Sequence, residues 1–233
     1  VDMRHTLWWK CRWANLRKED DHTITGYKLV QGWGAERHVY FVAEFSEPLD
    51  DFGIMEGGKR VCYDTKRFRS DCEAWGEDLK FWVRFATRQE QQVTVRVAIS
   101  SVDPAGARGS LHEIDGLTFD EVRSRGEQLW ERELSRFTVE GPQRVKETFY
   151  TSAYRCFLSP FLFQDADGRF REHDKSIGRA EGFTNYTTFS FWDTYRAFHP
   201  LMNLVRADMS ADVAYSMLAH YDKSVERMLP VWS

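Results

Sequence analysis

The chain has 233 residues, of which 42% are hydrophobic and 29% charged, as expected for a globular protein with a sizeable core. Its formal net charge of −4 gives no electrostatic reason to expect a nucleic acid or an anionic membrane as partner. No apolar run reaches the ~18 residues of a membrane span, and no signal peptide is visible. The aromatic share of 15% is high, which a large core explains nearly as well as a sugar-handling function.

Residues 1–104 are predicted to form strands of a β-domain. Apolar and polar residues alternate with a period of two around Phe41, around Val83 and around Val97. Turn signals separate these runs. Because antiparallel strands with one polar face are typical of a β-sandwich, we predict half of such a sandwich here.

The tryptophans in this β-region could either pack within the protein or bind a ligand. Residues 8–13 interleave three tryptophans with basic residues, and packing within a strand explains this pattern better than a nucleic-acid stacking patch. The tripeptide Gly32-Trp33-Gly34 allows close backbone approach and an exposed indole, which makes Trp33 a candidate platform for a sugar ring. A β-bulge with a core tryptophan is the alternative.

Neither the cysteines nor the acidic residues predict a metal site. The four cysteines contain no CxxC pair, so structural zinc is not expected: Cys11, Cys62, Cys72 and Cys156. A Cys62–Cys72 disulfide and four free thiols are both compatible with this spacing. Residues 165–168 read Asp-Ala-Asp-Gly like the opening of an EF-hand loop, but Ile177 stands where that loop needs glutamate, so a hairpin tip is predicted.

Helices are predicted after a Gly/Pro-punctuated connector at residues 104–116. Thr118 and Glu121 form a capping box, which predicts a helix over residues 119–136. Glu131 and Glu133 point in different directions on this helix, so we predict a solvated surface rather than a catalytic pair.

Two more helices follow. Pro142 opens one, whose apolar stripe is predicted to be buried, and Pro160 stops it. Asp208 or Ser210 caps the other. His220 lies beside the apolar face of that last helix, where a hydrogen-bonded structural role fits better than a ligand role.

The stretch 181–200, EGFTNYTTFSFWDTYRAFHP, concentrates residue types that bind sugars. Aromatic rings cover the apolar face of a sugar, while carboxylates, amides and guanidinium groups bind its hydroxyls. Asp193 and Arg196 are three residues apart, so a helix starting near Trp192 would carry both charges on one face until Pro200 breaks or kinks it. A core helix with an intrahelical Asp–Arg ion pair fits the same pattern.

Residues 182–204 of this stretch closely resemble a hallmark segment of glycoside hydrolase family 92, the calcium-dependent exo-acting α-mannosidases. Residues 26–48, GYKLVQGWGAERHVYFVAEFSEP, resemble the family's glycine–tryptophan strand and its YFVAEFS strand. Residues 97–111 resemble its AISSV segment, and residues 216–233 resemble the helix after the hallmark segment. The resemblance covers the chain from about residue 26 onward, with the motifs in the same order.

The order of strands followed by helices predicts an α+β chain. The resemblance implies more: a multidomain enzyme of which residues 1–104 are part of an N-terminal β-sandwich and residues 105–140 a linker with the capped helix. Residues 141–233 would then be the first helices of an (α/α)6-barrel catalytic domain. The chain is expected to be an internal piece of that enzyme, with its substrate pocket between the two domains.

The resemblance also implies an activity, an inverting hydrolysis of terminal α-linked mannose, expected to be 1,2-linked. In this reaction a carboxyl group protonates the leaving oxygen and a carboxylate activates water. A calcium ion is implied to bind the mannose O2 and O3. The family's acid, its bases and most calcium ligands align beyond Ser233, so no catalytic residue is expected within this chain, and the piece alone is expected to be inactive.

The implied partners are mannose-containing glycans and the remainder of the same polypeptide or a second fragment. The implied location is extracellular or periplasmic, in a bacterium that degrades N-glycans. A non-catalytic carbohydrate-binding protein and a degenerate family member are the alternatives.

The resemblance also assigns substrate-binding roles. Asp193 is expected to accept hydrogen bonds from mannose hydroxyls, Arg196 to orient Asp193 or bind the sugar directly, and Trp192 to wall the pocket. Further candidates for the sugar subsite are Thr187, Tyr186, Trp33 and His199.

Overall fold

The structure, a computed structural model, describes residues 1–7, 9–32, 36–61 and 72–229. The chain divides into two units, Val1–Glu113 with Asp165–Asp167, and Ile114–Gln164 with Gly168–Ser233. Strands dominate the first unit and helices the second. The prediction of an α+β chain, in which part of a β-sandwich precedes helices, is confirmed.

The described residues of the first unit form two antiparallel sheets. Its strands are β1 Lys10–Lys18, β2 Thr23–Gln31, β3 Arg37–Phe45, β4 Asp51–Glu56, β5 Lys59–Arg60, β6 Glu73–Gly76, β7 Leu79–Arg84 and β8 Val95–Ser100. One sheet has the order β6-β1-β2-β3-β8 and the other the order β5-β4-β7. All of these pairings are antiparallel, as predicted.

The apolar faces of the two sheets form one core. Leu16 and Ile24 from the five-stranded sheet and Ile54 and Leu79 from the three-stranded sheet are fully buried in the same cluster. Side chains of a strand alternate between its two faces, and in β1 and β7 the buried residues of this core follow that period. The apolar residues of β8, which the sequence pattern around Val97 placed on one buried face, are exposed instead: Val95, Val97 and Ile99.

The connector at residues 104–116 contains a helix that the sequence did not predict. Helix α1, Pro104–Leu111, begins after Asp103, whose carboxylate accepts a 2.6 Å hydrogen bond from the Gly106 N–H. Proline suits the first helical position because its missing N–H would have no partner there. Helix α1 packs on β3 and β8.

The turn at residues 165–168 also differs from its prediction. It connects strand β9, Phe161–Leu162, to strand β10, Arg169–Arg171, and each of these pairs with a different strand, so it is not a hairpin tip. The Asp165 carboxylate is buried in the first unit, where it accepts a 2.7 Å hydrogen bond from the Ser100 hydroxyl. This contact fixes the turn.

The second unit contains five α-helices among its described residues. They are α2 Phe119–Leu134, α3 Gln143–Cys156, α4 Phe191–Thr194, α5 Phe198–Val205 and α6 Ala207–Lys223. Strand β11, Ile177–Arg179, pairs with β10, and strand β12, Tyr186–Thr187, pairs with β9. The predicted capping box starts α2, since the Thr118 N–H donates to Glu121 and the Thr118 hydroxyl accepts from the Glu121 N–H.

Glu133 is not the solvated residue that the sequence suggested, although Glu131 is exposed. The Glu133 side chain is only 17% exposed and accepts 2.9 Å hydrogen bonds from Arg206 and Arg136. Arg206 also binds the Asp208 carboxylate through two nitrogens, at 3.1 Å each. These ion pairs join α2 to the start of α6.

The prediction that Asp208 or Ser210 caps α6 is also wrong, and Arg206 is again the residue involved. Arg206 occupies the N-cap position without a side-chain cap bond, and Asp208 lies in the first turn. Asp208 is held there by the Arg206 guanidinium and by the favourable interaction of a carboxylate with a helix N-terminus. Ser210 lies further inside the helix.

The apolar stripes of α3 and α6 are buried only in part. In α3, Ala153 is buried, whereas Val145, Phe149 and Tyr154 are exposed. The Phe149 and Tyr154 rings nevertheless contact Phe137 and Trp130, at 5.6 and 4.4 Å between ring centres. In α6, Val213 is buried. None of the helices in the described ranges is both long enough and apolar enough to span a membrane.

The structure divides the cysteines into two kinds. Cys72 is disulfide-bonded, so the prediction of four free thiols is wrong. Cys11 and Cys156 are free. Cys62, the partner that the sequence suggested for Cys72, lies outside the described residues, as do Trp8 and Trp33.

Candidate functional site

The sequence predicted one helix from near Trp192 to Pro200, but the hallmark segment forms two shorter helices instead. Helix α4 ends at Thr194, and Pro200 lies in the first turn of α5 rather than at a break. Proline is tolerated in a first turn, where backbone N–H groups have no intrahelical partner. Arg196 therefore lies in the turn between the two helices, outside the helix that carries Asp193.

The backbone before α4 is strained at two residues. Thr188 and Ser190 have φ angles of 69° and 43°, in the left-handed region that β-branched residues such as threonine rarely adopt. Phe189 between them is 3% exposed and packs with Met202 in the core of this unit. Burial of Phe189 offsets the strain, and such strain is typical of functional sites.

A hydrogen bond from Ser159 supports this conformation, since the Ser159 hydroxyl donates to the Thr188 carbonyl at 3.1 Å. The rings of Phe189 and Phe191 stack with their centres 5.9 Å apart. The core therefore fixes the chain immediately before Asp193, so that this carboxylate projects from an ordered support.

Trp192, Asp193 and Arg196 are exposed next to each other on this support. One Asp193 oxygen accepts a hydrogen bond from the Ser190 hydroxyl. Among the described residues, Asp193 and Arg196 form no ion pair with each other, so the intrahelical ion pair is excluded. The Arg196 guanidinium lies instead 5.8 Å from the centre of the Tyr195 ring. Both charges remain available to a ligand.

Ser190 is a residue of this site that the sequence argument did not assign. It holds one oxygen of Asp193 and leaves the other free to accept hydrogen bonds from a ligand. A signal was present, because Ser190 stands at the N-cap of α4, a position where serine is common. The sequence did not show that the backbone of Ser190 is left-handed, the conformation in which its hydroxyl donates to Asp193.

His199 supports α4 from α5. Its Nε2 lies 3.0 Å from the Thr194 hydroxyl, which is also 3.1 Å from the Ser190 carbonyl. Burial lowers the pKa of His199, so its imidazole is held in the neutral form. It is half-buried behind the exposed residues.

Tyr186 and Thr187 face inward on β12. The Tyr186 N–H donates to the Ser216 hydroxyl of α6 at 2.9 Å, and the ring packs against the core that contains Phe189. Burial raises the pKa of Tyr186. Thr187 is 9% exposed. The structure thus groups the candidates into an exposed set at α4 and a supporting set behind it.

A histidine pair lies elsewhere in the second unit. The Nδ1 atom of His173 is 3.1 Å from the Nε2 atom of His220, which confirms the predicted hydrogen-bonded role of His220. Burial, with the nearby charges of His173 and Lys175, lowers the pKa of His220 to about 4. Its neutral form is therefore the one that the folded protein stabilises.

This pair predicts a pH dependence of stability. The pKa of His220 is about 4 in the folded protein against an ordinary 6.5, so its stabilisation is complete above pH 6.5 and is lost as the pH falls towards 4. We expect a loss on the order of 2 kcal/mol in the free energy of unfolding of the second unit. Urea unfolding of wild type and His220→Gln across this range measures it, and equal pH slopes for the two proteins would contradict the prediction.

No group of three or more His, Cys, Asp or Glu side chains is arranged to hold a metal ion in the described part of the chain.

Comparison with known proteins places both halves of the chain among glycosyl hydrolases. Residues 1–100 match the glycosyl hydrolase family 92 N-terminal domain, and residues 106–233 match the family's catalytic domain. The chain belongs to glycosyl hydrolase family 92, which confirms the resemblance drawn from its motifs. A comparison with curated proteins gives no match.

Solved structures agree. A family GH92 α-mannosidase from Bacteroides thetaiotaomicron, in complex with mannoimidazole, is 58% identical, with a TM-score of 0.94 over 99% of this chain and 30% of that one. A second structure of that mannosidase gives the same identity and TM-score, and this chain covers 31% of it. An inverting family GH92 mannosidase from Bacteroides thetaiotaomicron VPI-5482 is 22% identical, with a TM-score of 0.85 over 96% of this chain and 30% of that one. The chain thus spans about 30% of the length of these relatives.

Proposed function

We propose that this protein is an exo-acting, inverting α-mannosidase that removes terminal α-linked mannose, with 1,2-linked mannose as its substrate, from glycans. Family membership and the 58% identity to α-mannosidase structures, one of them holding mannoimidazole, support this function. The observation in this chain that carries it is Asp193, an exposed carboxylate that forms no ion pair with another described residue and lies beside Trp192 and Arg196. The backbone before it is strained and is held by the buried Phe189.

Each exposed residue has a role in this proposal. Asp193 accepts hydrogen bonds from hydroxyls of the terminal mannose through the oxygen that Ser190 leaves free. Arg196 donates to the sugar directly, because no ion pair with Asp193 competes for its guanidinium. Trp192, which is 79% exposed, covers the apolar face of the ring.

The remaining candidates act behind this set in our proposal. His199 fixes α4 through Thr194, while Tyr186 and Thr187 anchor the strand that leads into it. Trp33 stays a candidate wall of the sugar subsite. Residues 1–104, 105–140 and 141–233 are proposed as β-sandwich portion, linker and start of the barrel domain.

The acid, the base and the ligands of a calcium ion are proposed to come from outside this chain. Because the described residues offer no calcium site, we derive no step through the metal. Mannose-containing glycans are the proposed partners, with the rest of the polypeptide completing the pocket, and the proposed location is extracellular or periplasmic.

Mannose release from α-1,2-mannobiose by the full-length protein tests the proposal. We expect release that a calcium chelator abolishes and added calcium restores, with β-mannose as the first anomer seen by NMR. The 1,3- and 1,6-linked isomers serve as linkage controls, and the 233-residue chain alone is expected to be inactive. A folded, calcium-loaded protein that cleaves none of these α-mannosides would favour a carbohydrate-binding or degenerate family member instead.

A further inference from the structure

The five-stranded sheet of the first unit carries aromatic side chains on the face that points away from the core. The register pairs Trp75 of β6 with Asn15 of β1, Asn15 with Tyr27 of β2, and Tyr27 with Tyr40 of β3. Directly paired residues lie on the same face of a sheet, so these four side chains form one row. Adjacent strands are about 4.8 Å apart, which gives the row a length of about 14 Å.

The burial of the neighbouring residues shows that this row lies on the face of the sheet opposite the core. Ala14 and Leu16, the neighbours of Asn15 in β1, are fully buried in the core, and Ala74, the neighbour of Trp75, packs against it. Neighbouring residues in a strand point to opposite faces, so the row faces outward. Trp13, two residues before Asn15, lies on the same face.

The two indoles of this outer face are open to solvent. Trp13 is 43% and Trp75 53% exposed, whereas the other end of the face is covered where α1 packs on β3 and β8. The rings of Tyr27 and Tyr40 lie 4.8 Å apart, so the aromatic surface continues beyond the indoles.

The side-chain amide of Asn15 lies between the aromatic rings, and its orientation is fixed by hydrogen bonds. Asn15 is 8% exposed, and its amide nitrogen donates to the Glu73 carboxylate at 2.8 Å and to the Ala74 carbonyl at 3.3 Å. Both amide hydrogens are therefore used, which fixes the orientation of the side chain and leaves its oxygen as an acceptor on the outer face. The Tyr27 hydroxyl is held in the same way, 3.0 Å from Nδ1 of His38.

The composition of this row differs from that of an aliphatic strip on the same sheet. The other exposed apolar strip of the sheet, on β8, consists only of aliphatic side chains: Val95, Val97 and Ile99. The outer face instead alternates rings with an oriented amide, and its charged neighbours Arg17 and Glu73 balance each other. Flat rings with fixed hydrogen-bonding groups and no net charge complement a neutral sugar chain.

We propose that the outer face around Trp13, Asn15, Trp75 and Tyr27 binds a neutral oligosaccharide, so that the β-domain holds a glycan chain independently of its hydrolysis. The indoles stack on sugar rings, and the Asn15 oxygen accepts a hydrogen bond from a hydroxyl. The choice of a mannose-containing chain as ligand rests on the proposed function.

Affinity electrophoresis in native gels that contain yeast mannan tests this proposal. Every protein compared carries Asp193→Ala in the full-length chain, so that cleavage and binding at the proposed mannose subsite are weakened equally in all of them. We expect the added pair Trp13→Ala and Trp75→Ala to weaken mannan binding at least tenfold, and the pair Trp13→Phe and Trp75→Phe to keep most of it. Trp82→Ala, an exposed tryptophan of β7 in the other sheet, is the matched control and should migrate unchanged.

Two results overturn the inference. One is unchanged retardation of the double alanine variant. If its melting temperature also falls, the two indoles contribute to packing within the full-length protein and not to glycan binding. The other is an equal loss in Trp82→Ala. Mannobiose hydrolysis by the double alanine variant with native Asp193 separates this inference from the proposed function, since we expect that activity to be unchanged.

Discussion

Replacement of Asp193 by alanine is expected to lower kcat/KM of the full-length protein for α-mannosides at least about a hundredfold, or ~2.7 kcal/mol of transition-state stabilisation. Asp193 is exposed and bound to the protein through one oxygen, so its carboxylate is free to accept hydrogen bonds from the sugar. Charge-assisted hydrogen bonds contribute roughly 1.5–3 kcal/mol each, which makes the loss of one or two sufficient. Steady-state kinetics on α-1,2-mannobiose measure the effect.

The variant should remain folded, because an exposed carboxylate bonded only to Ser190 contributes little to stability. Asp174→Ala is the matched control, since Asp174 is also exposed and also accepts a hydrogen bond from a nearby serine, Ser176, but lies in the turn between β10 and β11. Near-normal turnover by Asp193→Ala, with a melting temperature like that of wild type, would remove Asp193 from the sugar subsite.

Local patterns in the sequence predicted the parts of this fold that depend on near neighbours. The capping box of Thr118 and Glu121 and a strand at Arg37–Phe45 appear in the structure as expected, because each needs only residues a few positions apart. The class of the fold follows from the order of such elements.

Contacts between distant parts of the chain explain what the sequence did not predict. Glu133 looked like a surface residue because its partner, Arg206, is far along the chain, and no local pattern links the two. The left-handed conformations of Thr188 and Ser190 oppose their intrinsic preferences and persist because Phe189 is buried. The predicted helix also ends early, at Thr194, which leaves Arg196 outside the helix that carries Asp193.

The candidate site was therefore predictable as a set of residues but not as a geometry. The hallmark segment identified Trp192, Asp193 and Arg196, which are all exposed together. Which of them pair with each other, and which residue orients the carboxylate, depends on the backbone between β12 and α5. The left-handed backbone at Ser190 accompanies the hydrogen bond from its hydroxyl to Asp193, and the sequence pattern did not predict that backbone.

The largest expected loss of stability arises in the β-domain, at Gly26. A Cβ atom at this position would lie 2.3 Å from the Phe41 ring and 2.7 Å from the Asn15 carbonyl oxygen. Gly26 pairs with Leu16 on one side and with Phe41 on the other, so neither neighbouring strand has room to move. We expect Gly26→Ala to lower the free energy of unfolding of this domain by about 2–3 kcal/mol, as overpacking of a core does.

Calorimetry of the full-length protein measures this loss as a lower melting temperature of the transition that includes the β-domain. Gly126→Ala is the control for the substitution itself: Gly126 lies inside α2, and an added Cβ atom would have no atom within 4 Å. Alanine favours a helix interior over glycine by ~1 kcal/mol, so this variant should be slightly stabilised. Equal melting temperatures for Gly26→Ala and wild type would mean that the Phe41 ring turns away without cost, and that the register of β2 and β3 does not require glycine.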